Sequence, residues 1–277
     1  MLKGFVVEVD IIVSVYNARA FVVKCWQELE KNTKYPHNVY FADDCSTDLT
    51  LAKFLRELDG ATLLRSEKNL GFASINNWAV EQTKSEFFCL LNSDTEPLEG
   101  WLGAMMEAML SNDRVGIVGA KLLFPEGKTQ ISGTIQHAGV GRDRTGQPYH
   151  PYRERPADFA QANVLREVNA VTGACFLVRR KCWEELGGFD EGYSMGQFED
   201  VDYCWRCREN GWHIWMQPKA VLYHYEHGSG EQYVERSHDK NRDRLLRTWR
   251  GFVSDEYLFP DGKRQDYFPN SYQKGRP

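Results

Sequence analysis

No apolar run in this 277-residue sequence approaches the roughly 18 residues of a membrane-spanning helix. The opening stretch MLKGFVVEVDIIVSVYN is too short, and too acidic in its middle, to read as a secretory signal. A cytoplasmic protein is expected, with no transmembrane segment, either soluble or peripheral at the inner face of a membrane. Positive charge is not in excess: the formal net charge is -5, which argues against a nucleic-acid partner. Seven cysteines are scattered and odd in number, so a disulfide framework is not expected. Cys204 and Cys207 form a CxxC without a second pair, within a helical pattern, which is one helical turn rather than a zinc site. Internal repeats and strong linkers are also missing.

What is present is a globular composition, 42% hydrophobic and 26% charged. Up to residue 91 the pattern alternates. VDIIVSVYN reads as a continuous apolar strand of the kind buried in parallel sheets. Residues 18–32 have helical spacing, NVYFADD is a second strand, and STDLTLAKFLREL is an amphipathic helix with Ser and Thr as cap candidates. ATLLRS is a third strand, GFASINNWAVEQT a helix starting near Gly71, and EFFCLLN a fourth strand. Repeated strand–helix–strand units imply a parallel sheet covered by helices. Ligands bind such sheets beyond the carboxyl ends of the strands. Those ends carry Ser14–Asn17, Asp43–Asp48, Arg65–Asn69 and Asn92–Asp94, which are expected to converge on one crevice.

Beyond residue 98 the rhythm changes. A helix (GWLGAMMEAML) and a strand (VGIVGAKLLF) precede a Gly-, Pro- and Arg-rich stretch from about 125 to 166, whose middle reads as a long mobile loop. A strand in VNAVTGACFLVRR follows, then helices near 181–187 and 200–210, and strands in WHIWMQP and AVLYHYE. The tail is expected to hold one helix around 236–250 and then irregular chain.

Seven segments in order, DIIVSVYNA, ADDCSTD, NLGFASINN, LLNSDTEP, VTGACFLVRRKCWEELGGFDEGY, FEDVDYCWR and LYHYEHGS, resemble the pattern of family 2 glycosyltransferases with the GT-A fold. The segment GKTQISGTIQHAGV is similar to bacterial rhamnosyltransferase-like and galactofuranosyltransferase-like members. The resemblance covers roughly residues 9–230 and not the tail. It implies an α/β fold, a mixed, mainly parallel central sheet flanked by helices. A nucleotide-sugar half spans about 1–97, an acceptor half about 98–230, and a C-terminal extension residues 231–277. That extension could dock a partner, a membrane surface or another subunit.

The family chemistry is transfer of a sugar from a UDP- or dTDP-activated donor to a hydroxyl of a glycan or lipid-linked acceptor, with inversion. A cation bridging the diphosphate oxygens is held in the family by DxD. Here Asn92 stands in the first position, which leaves Asp94 as the metal contact and Asn92 as a sugar, ribose or water contact. His224, at the end of AVLYH, is implied as a second ligand, with His227 as a competitor. Imidazole tilts the expected cation toward Mn²⁺ over Mg²⁺. In FEDVDYC the resemblance makes Asp200 the base, with Glu199 beside it; as first-turn acids both also suit a helix dipole.

On the donor side, Ser14, Tyr16 and Asn17 line the first strand end, Ser93 accompanies Asp94, and Asp43 resembles the aspartate that meets a uracil or thymine imide. Asp44 and Asp48 are cap candidates. Asn69 and Gly71 precede a helix whose amides could face phosphate, and Asn76 stands where relatives carry Arg. Arg206 suits a structural ion pair as well as a site role. For the acceptor, Gly173 and Ala174 resemble a small-residue stretch, and His137, Trp183, Tyr149 and Tyr152 are ring-stacking candidates.

Competing activities lack their signatures. A dinucleotide-dependent oxidoreductase would show GxGxxG after the first strand, and SVYNARA has no glycine. An Asp-nucleophile phosphatase would need Asp at position 92. A processive synthase would need membrane helices and QxxRW. A sugar-phosphate nucleotidyltransferase would have a Gly-rich basic loop after the first strand. A non-catalytic nucleotide-sugar-binding module stays open, and the retained Glu199, Asp200 and His224 weigh against it.

Overall fold

The computed structural model describes residues 7–127, 129–143, 146–193, 196–226 and 231–250, the side chains of 231–237 excepted. His227 and the irregular tail expected after 250 lie outside the described residues. Strand and helix alternate through β1 (Val9–Val15), α1 (Arg19–Asn32), β2 (His37–Asp43), α2 (Leu49–Glu57), β3 (Thr62–Arg65), α3 (Phe72–Glu81) and β4 (Phe87–Asn92). There follow β5 (Thr95–Pro97), α4 (Trp101–Leu110), β6 (Val115–Leu123), β7 (Ile135–His137), β8 (Gly141–Arg142), β9 (Pro148–Tyr149) and β10 (Arg166–Glu167). The described chain closes with β11 (Cys175–Arg179), α5 (Arg180–Leu186), α6 (Glu199–Glu209), β12 (His213–His224) and α7 (Glu231–Thr248).

Ten strands make one sheet in the order β10-β12-β6-β11-β4-β1-β2-β3, with β5 added on β12 and β7 on β6. Strands β1 to β4 run parallel, and β12 runs parallel to β6. The exception at the centre is β11, antiparallel to both β4 and β6. One sheet edge therefore collects the carboxyl ends of β1, β2, β3, β4, β6 and β12 together with the start of β11. This is the crevice that the strand-end residues anticipate.

The apolar strands are buried on both faces, and alternate residues serve two cores. Val9, Ile11, Val13, Cys89 and Leu91 join the core that includes Trp26 of α1, Leu51 of α2 and Trp101 of α4. Ile12, Phe88 and Leu90 join the core that includes Ile75 of α3, Trp183 of α5 and Trp205 of α6. Each such side chain contributes roughly 1.5–3 kcal/mol by leaving water.

Several elements differ from expectation. WHIWMQP and AVLYHYE form a single strand, β12, with an irregularity between Gln217 and Val221. Pro218 lacks the N–H that an unbroken ladder requires there. Within the stretch from 125 to 166, the described segment 153–163 is pinned rather than a free loop. Lys121 Nζ bonds Ala157 O (3.1 Å) and Asn163 Oδ1 (2.6 Å), and Arg153 holds Glu226 with both terminal nitrogens (3.2 and 2.8 Å). The N-cap of α2 is Asp48, which accepts from Thr50 and Leu51. All seven cysteines are free, and Cys204 and Cys207 share one turn of α6. Among the described residues, no helix is long and apolar enough to cross a membrane.

Candidate active site

At the crevice edge β4 and β12 bring two ligand types face to face. Asp94 and His224 are both nearly buried, and His224 Nε2 lies 3.3 Å from Asp94 Oδ1. The other face of the imidazole is fixed by Gln136, on β7. Gln136 Nε2 donates to His224 O (2.9 Å), which turns Gln136 Oε1 toward His224 Nδ1 at 2.6 Å. The amide orientation thus assigns a proton to Nδ1 and leaves Nε2 facing the Asp94 carboxylate. A proton on Nε2 would bridge the two atoms in the absence of metal, and a cation could take its place. Right-angle bonds of about 2.1 Å to one cation would separate two ligand atoms by about 3 Å, so the donor set fits a divalent ion. Among the described residues no group of three or more His, Cys, Asp or Glu gathers as a metal site. Further ligands would come from water or from the substrate's own oxygens.

The carboxylate pair comes from the start of α6. Asp200 Oδ2 accepts Gly173 N–H (2.7 Å) and Oδ1 accepts Val201 N–H (2.8 Å). A Cβ at Gly173 would stand 3.5 Å from Asp200 Cβ and 3.4 Å from the Phe72 ring, ordinary van der Waals contact, so the approach does not itself demand glycine. Asn92 N–H donates to Ala174 O (3.0 Å). One hydrogen-bonded step across β4 and β11 therefore links the Asp94 end of the crevice to Asp200. Burial raises both carboxyls, and the two differ in their support. Glu199 is pushed to about 8 by burial and by the charge of Asp200, and its Oε2 is buried without a hydrogen-bond partner. Asp200 is raised by burial while its backbone N–H donors pull it back down. Glu199 is the more strongly disfavoured anion of the pair, and the N–H donors leave the Asp200 carboxylate the better supported of the two.

A raised carboxyl stabilises the fold fully below its unfolded value and loses that contribution as pH climbs through its folded value. For Glu199 this window runs from 4.5 to about 8, and Asp200, shifted the same way, adds to the slope. Glu199→Gln should flatten it. Thermal unfolding at successive pH values should show wild type losing ground to the variant as pH rises across that window; parallel curves would contradict the assignment.

On the donor side, Ser14 and Tyr16 are partly exposed at the end of β1. Asn17 builds the neighbouring loop instead, its Oδ1 accepting from Thr47 N (2.9 Å) and Asp48 N (3.0 Å). Asp43 is fully buried, accepts Ser46 N–H (2.9 Å) and is ion-paired to Arg65. An imide would have to share this carboxylate. Just ahead of α3, Asp44 accepts Leu70 N–H (2.6 Å) and Gly71 N–H (2.9 Å), so these two amides are not open to a phosphate, whereas the first-turn amides of α3 itself begin at Phe72. Asn69 joins the same loop through Asp44 O (3.3 Å). Asn76 is corrected, since it has no exposed surface and donates to Phe72 O (2.8 Å) within its own helix. Asn92 Oδ1 is buried without a partner and Ser93 is nearly buried, both in the turn beside Asp94.

The acceptor-side expectations divide. Gly173 and Ala174 do lie at the crevice. Trp183 does not: β11 is antiparallel, so its end and α5 fall at the opposite sheet edge, near Phe87. Trp183 packs there against Phe88, Phe189 and Tyr203 and is a core side chain. Tyr149 lies against Gly141, and Tyr152 packs on Phe159 and under Arg166. Arg206 is structural, holding Asp202 (2.9 Å), Leu186 O and Gly188 O.

The sequence profile described as Glycosyl transferase family 2 matches residues 10–187, well over half of the 277-residue chain. The chain belongs to this family. It is 32% identical over 206 residues to the O-antigen biosynthesis protein RfbC of Myxococcus xanthus, covering 71% of this chain and 16% of that protein. It is 28% identical over 219 residues to an N-acetylglucosaminyl-diphospho-decaprenol L-rhamnosyltransferase of Mycobacterium tuberculosis, covering 72% of this chain and 70% of that one. An uncharacterized Sinorhizobium fredii protein, y4gI, is 31% identical over 68% of this chain and 21% of its own length. The chain thus spans about a fifth or less of two of these relatives. Among solved structures, GalNAc-T7 with UDP, GalNAc and Mn²⁺ superposes with a TM-score of 0.72 at 16% identity, over 98% of this chain and 54% of that one. The Pyrobaculum calidifontis mannosyltransferase PcManGT with GDP-Man and Mn²⁺ gives 0.55 at 19% identity, over 78% and 56%. These two show a shared GT-A-like fold.

Within this family 2 site, sequence reasoning missed Gln136 and His150. Gln136 sits in the quoted segment GKTQISGTIQHAGV, but nothing local marks it as the partner of a histidine 88 positions away. His137 is a hub rather than a stacking surface. Its Nε2 accepts Gly139 N–H (3.2 Å) and Thr172 N–H (3.4 Å), and its Nδ1 lies 2.9 Å from His150 Nδ1. Burial, with the neighbouring cations, keeps both rings neutral, and His150 is lowered to about 4. Gln136→Leu should weaken Mn²⁺ affinity by about 10–100-fold, as loss of an outer-shell partner does; a fluorescence or calorimetric Mn²⁺ titration checks it.

Proposed function

We propose that this family 2 chain is a cation-dependent inverting glycosyltransferase. It moves one sugar from a UDP- or dTDP-activated donor to a hydroxyl of a glycan or lipid-linked acceptor in cell-surface polysaccharide synthesis. One observation carries the reading: Asp94 Oδ1 and His224 Nε2 face each other at 3.3 Å, at the same crevice as a buried, hydrogen-bonded Asp200. The Myxococcus and Mycobacterium relatives, by the names they carry, support the acceptor class. The solved relatives with Mn²⁺ and a nucleotide or nucleotide-sugar support the cofactor.

A cation at Asp94 and His224 would supply Lewis-acid neutralisation of the departing diphosphate, with Mn²⁺ suiting the imidazole better than Mg²⁺. The chain's own residues do the rest. Gln136 orients the His224 ring, and Gly173 and Val201 N–H groups aim the Asp200 carboxylate and oppose the rise that burial causes. Asp200 takes the acceptor's hydroxyl proton as the oxygen attacks the anomeric carbon. Glu199, neutral beside it, prevents a second negative charge from opposing the incoming anion.

A panel of UDP- and dTDP-sugars tests the reading through nucleotide release with Mn²⁺ and with EDTA. The expected outcome is release from one donor class, quenched by EDTA, with a product whose anomeric proton coupling in NMR shows inversion. Retention would overturn the single-displacement mechanism, and release insensitive to EDTA would overturn the cation.

A further inference from the structure

We infer that α7, outside the residues matched by the family profile, is the positioning element for the Glu199–Asp200 pair. The inference rests on the reading of Asp200 as base. The pair is delivered by a turn of unfavourable backbone: Gly196, Gln197 and Phe198 have φ of 92°, 80° and 73°. For the two residues with a Cβ, such conformations are strained and persist only where surroundings over-determine them. Here the surroundings come from α7.

Asn241 is wholly buried, and its Nδ2 donates to Gly196 O (2.8 Å) and Gln197 O (3.4 Å), gripping the turn by its carbonyls. One turn earlier, the His238 ring packs on Phe198 at 5.2 Å. Further on, Arg244 holds Asp190 Oδ2 with Nε (3.0 Å) and Nη2 (2.6 Å) and stands over Tyr193 at 5.3 Å. Just past the helix, Trp249 Nε1 donates to Asp202 Oδ1 (2.9 Å) and its ring meets Trp205 at 5.5 Å. Asp190 and Tyr193 precede the turn, while Asp202 and Trp205 follow it. The helix therefore clamps the turn and both its flanks. The residues His238, Asn241, Leu245 and Trp249 recur at three- and four-residue spacing, so one helical face makes the clamp. Leu245 is fully buried on that face. Asn241, Arg244 and Trp249 act on catalysis through Asp200 and touch no reacting atom.

The test compares wild type, Asn241→Ala, Arg244→Ala, Arg244→Lys and the exposed α7 control Lys240→Ala. It reads UDP or dTDP release from the sugar nucleotide, Mn²⁺-dependent UDP binding by calorimetry, and amide hydrogen exchange. In Asn241→Ala and Arg244→Ala, turnover should fall about 10–100-fold, the scale of a misplacement near 1 Å. Donor KM and UDP affinity should stay within about twofold, and exchange should accelerate at 196–203 but not at 87–97. Arg244→Lys should recover part of the rate, and Lys240→Ala should match wild type. Unchanged turnover with unchanged exchange at the turn would overturn the inference, even if melting temperature drops. Loss of UDP affinity in proportion to turnover would overturn it too, because that marks general unfolding. If wild type binds no nucleotide, the functional reading fails instead, and the exchange data alone still decide whether α7 holds the turn.

Discussion

Asp200→Asn lowers sugar transfer about 10²–10⁴-fold, the range a general base contributes, and leaves Mn²⁺-dependent nucleotide binding in place. The substitution keeps one oxygen for the Gly173 N–H (2.7 Å) and gives up the Val201 N–H bond, a smaller disturbance than truncation, while the proton acceptor is lost. The same carboxylate sets the pH profile. Burial raises Asp200 while the Gly173 and Val201 N–H groups oppose the rise, so activity should climb with pH as Asp200 loses its proton. Glu199 holds its proton up to about 8, and above that value a second negative charge meets the diphosphate. A bell-shaped kcat profile is expected, and Glu199→Gln should remove its alkaline limb without removing the acid one. Steady-state rates across pH for the two variants decide this.

Asp94→Ala and His224→Ala abolish the cation's contribution to nucleotide binding, an effect exceeding the roughly 10–100-fold cost of losing an outer-shell partner. Each substitution removes one of the two atoms that face each other at 3.3 Å, and the remaining ligand holds a cation weakly. Asp94→Asn should fall between, because it keeps an oxygen ligand and loses the charge. Electron paramagnetic resonance of Mn²⁺ titrated into each variant checks the ordering. A His224→Ala variant that retains wild-type Mn²⁺ binding would show that the imidazole is held for packing by Gln136 alone.

Much of the crevice was legible because buried parallel strands are continuous apolar runs, and their ends announce themselves in polar residues. Asp94 and His224 stand at two such ends, and Glu199 and Asp200 open a helix. What stayed hidden was set by tertiary pairing. The antiparallel sense of β11 sends Trp183 to the far edge, and no local pattern separates that strand from a parallel one. Asp44 and Gly71 are 27 positions apart, yet their hydrogen bond at 2.9 Å ties the end of β2 to the N-cap of α3. Gln136 meets His224 only once β7 pairs with β6. An amphipathic helix does not reveal which surface its face will cover, and the described face of α7 covers the turn at 196–198.

The central claim, that Asp94 and His224 hold a cation that holds a nucleoside diphosphate, is tested most directly by calorimetry. Wild type and Asp94→Ala are titrated with UDP, dTDP and GDP in Mn²⁺, Mg²⁺ or EDTA. The account predicts UDP or dTDP binding that is strongest with Mn²⁺, lost in EDTA and lost in Asp94→Ala. Nucleotide binding indifferent to both EDTA and the substitution would contradict it.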